Sequence, residues 1–114
     1  MTEKHALVVL SNAVDGRDEE FNTWYDKQHL PDVLSVPGFV AAQRYTANPA
    51  QMGEAPLTHK YLAIYEIEGD IGAALGALGS AVEAGMDISS MLDMDTVSAV
   101  VFTPNGPRQV TKNT

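Results

Sequence analysis

Residues 5–12 read His5-Ala6-Leu7-Val8-Val9-Leu10-Ser11-Asn12, a nearly continuous apolar, β-branched run. A strand with one wet face alternates apolar and polar side chains, so a run apolar in both registers is covered on both faces. Near the other end of the chain, Thr96 to Thr103 (TVSAVVFT) has the same character. Working inward, Asp15-Gly16 marks a turn, and Asp18-Glu19-Glu20 places three acids where a helix N-terminus favours negative charge. Phe21, Trp24, Tyr25 and Gln28 or His29 then recur at helical spacing, and Pro31 is expected to break or bend this helix just after His29. Val36-Pro37-Gly38 reads as a turn and Phe39 to Tyr45 as a strand. Thr46 to Thr58 holds Pro49, Gly53 and Pro56 without periodicity and reads as a long loop, a candidate functional or mobile flap.

The second half repeats the alternation. Lys60 to Ile67 (KYLAIYEI) reads as a third strand. Asp70 to Gly85 reads as a helix despite Gly72, Gly76, Gly79 and Gly85, each of which costs up to ~1 kcal/mol relative to Ala, so tertiary packing is expected to hold it. The spacing of Gly72, Gly76 and Gly79 suggests a close helix-to-sheet approach, and Met86, Met91 and Met94 are read as core filling rather than as the entrance of a pocket. The order β-α-β-β-α-β predicts an α+β, ferredoxin-like domain with a four-stranded antiparallel sheet and two helices on one face. It spans residues 1–104, with a polar tail over 105–114. The first and fourth strands are apolar on both faces and would leave an apolar sheet face bare, and a second copy packed sheet to sheet in a homodimer is the simplest cover.

Composition narrows the chemistry. With 114 residues, 45% of them hydrophobic, the chain has room for one core. The absence of cysteine removes disulfides, thiolate metal sites and thiol nucleophiles. A formal charge of −8 argues against a nucleic-acid partner and disfavours anionic substrates unless Arg44 lies in the site. No stretch approaches the ~18–20 apolar residues of a membrane helix, and the apolar run after the polar start is short for a signal peptide. A cytoplasmic protein without membrane association is the expectation. No Gly-rich nucleotide loop is present, and His5, His29 and His59 lie on separate elements without local metal-ligand spacing, so no cofactor and no metal are expected.

The densest chemical stretch is Phe21 to Asp32. Tyr25 and His29 stand four apart and neighbour each other on a helix, while Asp32 can orient the imidazole if the chain folds back at Pro31. Histidine titrates near neutrality, so a Tyr–His–Asp cluster can hold a substrate oxygen, move a proton and set the tautomer. The same aromatics also suit the buried face of any amphipathic helix. Arg44 is either a carboxylate clamp or a surface ion pair. Phe21, Trp24, Phe39 and Tyr65 are candidates for an apolar pocket wall or for plain packing. His5, His59 and Asn12 are candidate polar contacts to a substrate, or simply residues of a strand start, a loop and a strand end.

Trp24 to Phe39, as W-Y-x-x-x-H-L-P-D-x-L-x-x-P-G-F, resembles the dimeric α+β barrel superfamily, specifically its EthD-like branch. That superfamily includes muconolactone isomerases, polyketide cyclases and antibiotic-biosynthesis monooxygenases. A weaker similarity is to the stress-responsive barrel branch containing olivetolic acid cyclase, with His5 opening strand one and Thr58-His59 before strand three. The cyclase's late catalytic histidine has no counterpart, since no histidine follows His59, and His29 would take the base role. The resemblance implies a small-molecule enzyme of isomerase, cyclase or lyase type without cofactor, acting on a hydrophobic or aromatic carbonyl, enol or lactone compound. The alternative it also supports is a non-catalytic accessory or binding protein of an oxygenase pathway, and a third is a cofactor-free monooxygenase.

Overall fold

A computed structural model describes residues 3–54 and 56–112. The strands are β1 (Lys4–Ser11), β2 (Phe39–Thr46), β3 (Tyr61–Glu68) and β4 (Ser98–Phe102), paired antiparallel in the order β2-β3-β1-β4. Between β1 and β2 run α1 (Asp18–Trp24), a π-helical turn (Tyr25–His29) and α2 (Leu30–Leu34), and α3 (Ile71–Glu83) joins β3 to β4. This is the expected β-α-β-β-α-β arrangement. The sheet register settles which residues share a face. His5, Leu7, Val9 and Ser11 lie beside Ile67, Tyr65, Ala63 and Tyr61, and this set carries the buried side chains. Arg44 and Ala42 pair with Ala63 and Tyr65 and so belong to the same, helix-covered face, whereas Gln43 and Tyr45 lie on the opposite one.

The core forms where α1 and the π turn press on β3 and α2 on β2. Phe21 and Ile67 are fully buried, and Tyr25, Val33, Phe39, Tyr61 and Tyr65 nearly so. A fully buried side chain of this size contributes on the order of 1.5–3 kcal/mol. Phe21 meets Tyr25 edge-on at 5.4 Å and Tyr61 at 5.1 Å between ring centroids. Among the described residues no helix covers the opposite sheet face. Leu10, Val100, Phe102 and Tyr45 on it are exposed.

Two expectations from the sequence need correction. Pro31 does not end the helix: the chain stays helical to Leu34, with the proline at the start of α2. The preceding turn widens instead, so that the Leu30 N–H donates to the Tyr25 carbonyl five residues back. A π turn absorbs the ring and the missing donor that would otherwise break the ladder. The α3 glycines do not mediate close approach, because a Cβ at Gly76 or Gly79 would meet open space. The glycine that does is Gly38, with φ +98°, where a Cβ would fall 2.8 Å from that of Ala74 at the start of α3. The helix is started by Asp70, whose carboxylate accepts the Ala73 N–H at 2.9 Å. Ala74 is the only buried residue of α3.

Candidate active site

Small side chains on α3 leave a space between that helix and the sheet. It forms a cavity of about 310 Å³, floored by Leu7, Val9, Tyr65 and Ala99 and roofed by Leu78 and Val82. Trp24, Tyr25, His29 and Val33 close one side, and Met86, Ile88, Leu92, Met94 and Val97 form the rest. Four of these lining residues carry polar atoms: Trp24, Tyr25, His29 and Tyr65. Everything else in the wall is aliphatic or thioether.

The π turn places three of the four. Its wider spacing brings residues five apart into register, and His29 stacks on Trp24 at 4.6 Å with 23° between the planes. The Tyr25 ring meets the same imidazole edge-on at 5.1 Å. Neither ring nitrogen of His29 is hydrogen-bonded among the described residues, and Nδ1 is buried without a partner, as is Nε1 of Trp24. Burial lowers the His29 pKa, against the smaller upward pull of the Asp32 and Asp87 charges, so the imidazole is neutral at neutral pH. The fourth group extends the cluster from the sheet: the Tyr65 hydroxyl donates to that of Tyr25 at 3.3 Å. The Tyr25 proton is thereby left to donate elsewhere. Burial raises the pKa of both phenols, so both remain protonated donors; the Arg44 charge opposes the shift in each.

Of the expected site residues, Tyr25, His29, Trp24 and Tyr65 come together at the cavity. The others stand apart from it. The Asp32 carboxylate accepts from Gln28 Nε2 at 2.8 Å and makes no hydrogen bond to His29, so it acts on the imidazole through charge and does not set its orientation. The residue four back on the same exposed surface captured it first. Arg44 is not free to clamp a carboxylate. Its guanidinium donates to Asn22 at 2.7 Å and Asp26 at 2.9 Å and lies 4.4 Å from the centre of the Tyr25 ring, outside the cavity wall. Phe21 and Phe39 are core residues, Phe39 packing edge-on against Tyr65.

His5 bonds through Nδ1 with the Thr103 hydroxyl at 3.0 Å, fastening the end of β4. Asn12 is a staple: its amide donates to the Thr58 carbonyl and Thr96 hydroxyl, and its oxygen accepts from the Lys60 N–H. His59 donates from Nε2 to the Thr96 carbonyl at 2.6 Å, which leaves Nδ1 to accept from the Thr58 hydroxyl. Together they anchor the segment that follows α3. None of the described residues of the loop before β3 lines the cavity, so among them there is no flap over this site.

Sequence reasoning missed the far wall. Met86 and Met94, read as core, line the cavity, and Met94 is largely exposed at its edge. The polar connection 86–97 folds back over the sheet through Val14 N–H to Met91 O and Asp93 N–H to Asn12 O, and that pairing carries the wall. Periodicity offers no signal for it. Among the described residues no group of three or more His, Asp or Glu side chains is placed to hold a metal ion.

The same architecture occurs in solved structures of distant sequence. A candidate monooxygenase from Shewanella loihica superposes with a TM-score of 0.65 at 11% identity, over 94% of this chain and 99% of that one. The chain has their fold. An EthD family protein from Bacillus halodurans matches with a TM-score of 0.57 at 13% identity, over 96% of this chain and 100% of that one. A Streptomyces coelicolor monooxygenase, ActVA-Orf6, in complex with nanaomycin D, matches with a TM-score of 0.55 at 15% identity, over 96% and 94% of the two chains. No family model and no curated protein matches the sequence. The structural likeness thus agrees in fold with the resemblance carried by Trp24 to Phe39. Among the described residues no helix is long and apolar enough to cross a membrane.

Proposed function

We propose that this protein binds a hydrophobic aromatic compound in the cavity beneath α3 and moves a proton on it, with His29 as the base and Tyr25 as the hydroxyl donor. The observation that carries this reading is a buried, unpartnered imidazole nitrogen beside a tyrosine pair in an otherwise apolar wall. Pockets for small organic molecules have this composition, apolar with a few convergent polar groups. A proton on oxygen, or on a carbon next to a carbonyl, passes to the imidazole, and the oxyanion that develops receives a hydrogen bond from Tyr25. Tyr65 supports that donor by bonding to its oxygen. Isomerisation, ring closure and elimination all begin with this step.

A second reading, oxygen insertion into an electron-rich phenol without a cofactor, takes support from the monooxygenase descriptions of two structures of this fold. It shares the deprotonation and differs in what the anion meets next. We also propose a homodimer, in which the exposed Leu10, Val100 and Phe102 pack against a second copy; sedimentation equilibrium giving the mass of one chain at micromolar concentration would exclude it.

A thermal-shift screen of aromatic ketones, lactones and phenols finds the ligands that stabilise the fold. Each is then incubated with the protein in air and under argon and analysed by mass. Turnover in both, lost by on the order of 10²-fold in His29→Ala, supports proton transfer. Turnover only in air, with mass gain, supports the oxygenase reading. Ligands that bind but never react make the protein a binding or accessory module.

A further inference from the structure

Among the described residues, the cavity wall holds no lysine, arginine, aspartate or glutamate. The cation behind it, Arg44, is separated from the interior by the Tyr25 ring and engaged by Asp26 and Asn22. At the edge, wall residues alternate with acids along the chain, as Met86-Asp87-Ile88 and Asp93-Met94-Asp95. Asp87 is exposed, and its charge reaches His29. A carboxylate entering here would pass those acids and lose its hydration to an aliphatic wall with no cation to replace it. A neutral carbonyl meets a different site, since it can accept from Tyr25 while an adjacent O–H or acidic C–H faces the imidazole.

We infer that the cavity selects by charge: its ligand is a neutral aromatic carbonyl compound bearing an ionisable O–H or C–H, and carboxylates of the same shape are rejected. This rests on the reading of the cavity as the binding site, and extends it from apolar compounds in general to one chemical class. The selecting residues are the uncharged wall and Asp87, with Arg44 withheld.

Two near-isosteres test it, 1-hydroxy-2-acetonaphthone and 1-hydroxy-2-naphthoate, titrated into the wild-type protein by calorimetry at pH 7.5. Trp24, the chain's single tryptophan, gives an independent emission signal from the cavity wall. The ketone is expected to bind at least about 100-fold more tightly than the carboxylate. Equal affinities, or a preference for the carboxylate, would overturn the charge selection and leave the cavity standing as a binding site. If neither compound gives heat or changes Trp24 emission, the binding site itself falls and the selection with it. In Asp87→Lys, an exposed substitution outside the cavity wall, carboxylate affinity should rise about 3–10-fold at low ionic strength with ketone affinity unchanged. No rise, or an equal rise for both, overturns the part assigned to Asp87.

Discussion

The two helical layers on the sheet are built to opposite specifications. The first, from α1 through the π turn to α2, packs aromatic rings against β3 and buries Phe21, Tyr25 and Val33. The second, α3, buries only Ala74 and presents glycines to open space. Large side chains close one half of the interface, while small ones leave a cavity under the other. The difference shows how a small fold obtains both rigidity and an internal cavity: the polar groups sit on the tight half, and the loose half supplies the room in front of them.

Substitutions can break this contrast. The largest effect is expected in the tight layer, where Phe21→Ala should destabilise by about 3–5 kcal/mol in chemical denaturation. Leu78→Ala in the half-buried α3 wall should cost clearly less, since it enlarges a space that already exists. Equal losses would remove the distinction between the layers. Next in size is Gly38→Ala, where a positive φ and a 2.8 Å contact with Ala74 both oppose a side chain. The strain alone costs on the order of 1–3 kcal/mol. Gly76→Ala and Gly79→Ala should act in the opposite direction, each raising stability by up to about 1 kcal/mol, because the space is open and the helix gains propensity. A loss at either position would mean that α3 packs more tightly than the cavity implies.

The smallest effect sharpens the comparison at its boundary, on His29. Burial lowers its pKa in the folded state, with Trp24, Tyr25 and Tyr65 around it and Asp32 and Asp87 pulling weakly the other way. The unfolded chain therefore binds the proton first as pH falls, and stability drops from about pH 6.5 downward toward the folded-state value. Below that value the penalty is constant. Denaturation midpoints of wild type minus His29→Gln, followed from pH 7.5 to 5, should show this slope. A difference independent of pH would mean that the imidazole is not desolvated.

The first and fourth strands were legible as continuous apolar runs, and β3 because its alternation is. Tyr61, Ala63, Tyr65 and Ile67 against Leu62, Ile64, Glu66 and Glu68 can be read in one dimension, and the sheet buries the first set more deeply. Tyr25 with His29 was legible from helical spacing. The Trp24–His29 stack was not, since it depends on a π turn that a 3.6-residue period does not contain. Asp32 and Arg44 show another limit. Each is a charged group with several partners within reach, and local competition gave Asp32 to Gln28 rather than to His29, and Arg44 to Asp26 and Asn22. Asn12 and His59 were legible as polar groups, not as anchors of a segment distant in sequence.

By itself, then, the order of apolar periodicities determined the element sequence, the α+β class and the aromatic helix that carries the polar cluster, since each of these follows from patterns a few residues long. Only the tertiary structure decided where the cavity lies, which face of the sheet it uses and which charges are kept out of it. Those depend on the gap left by small side chains of α3 and on the return of residues 86–97 across the sheet. A void is a property of several segments packed together, and no local pattern encodes it.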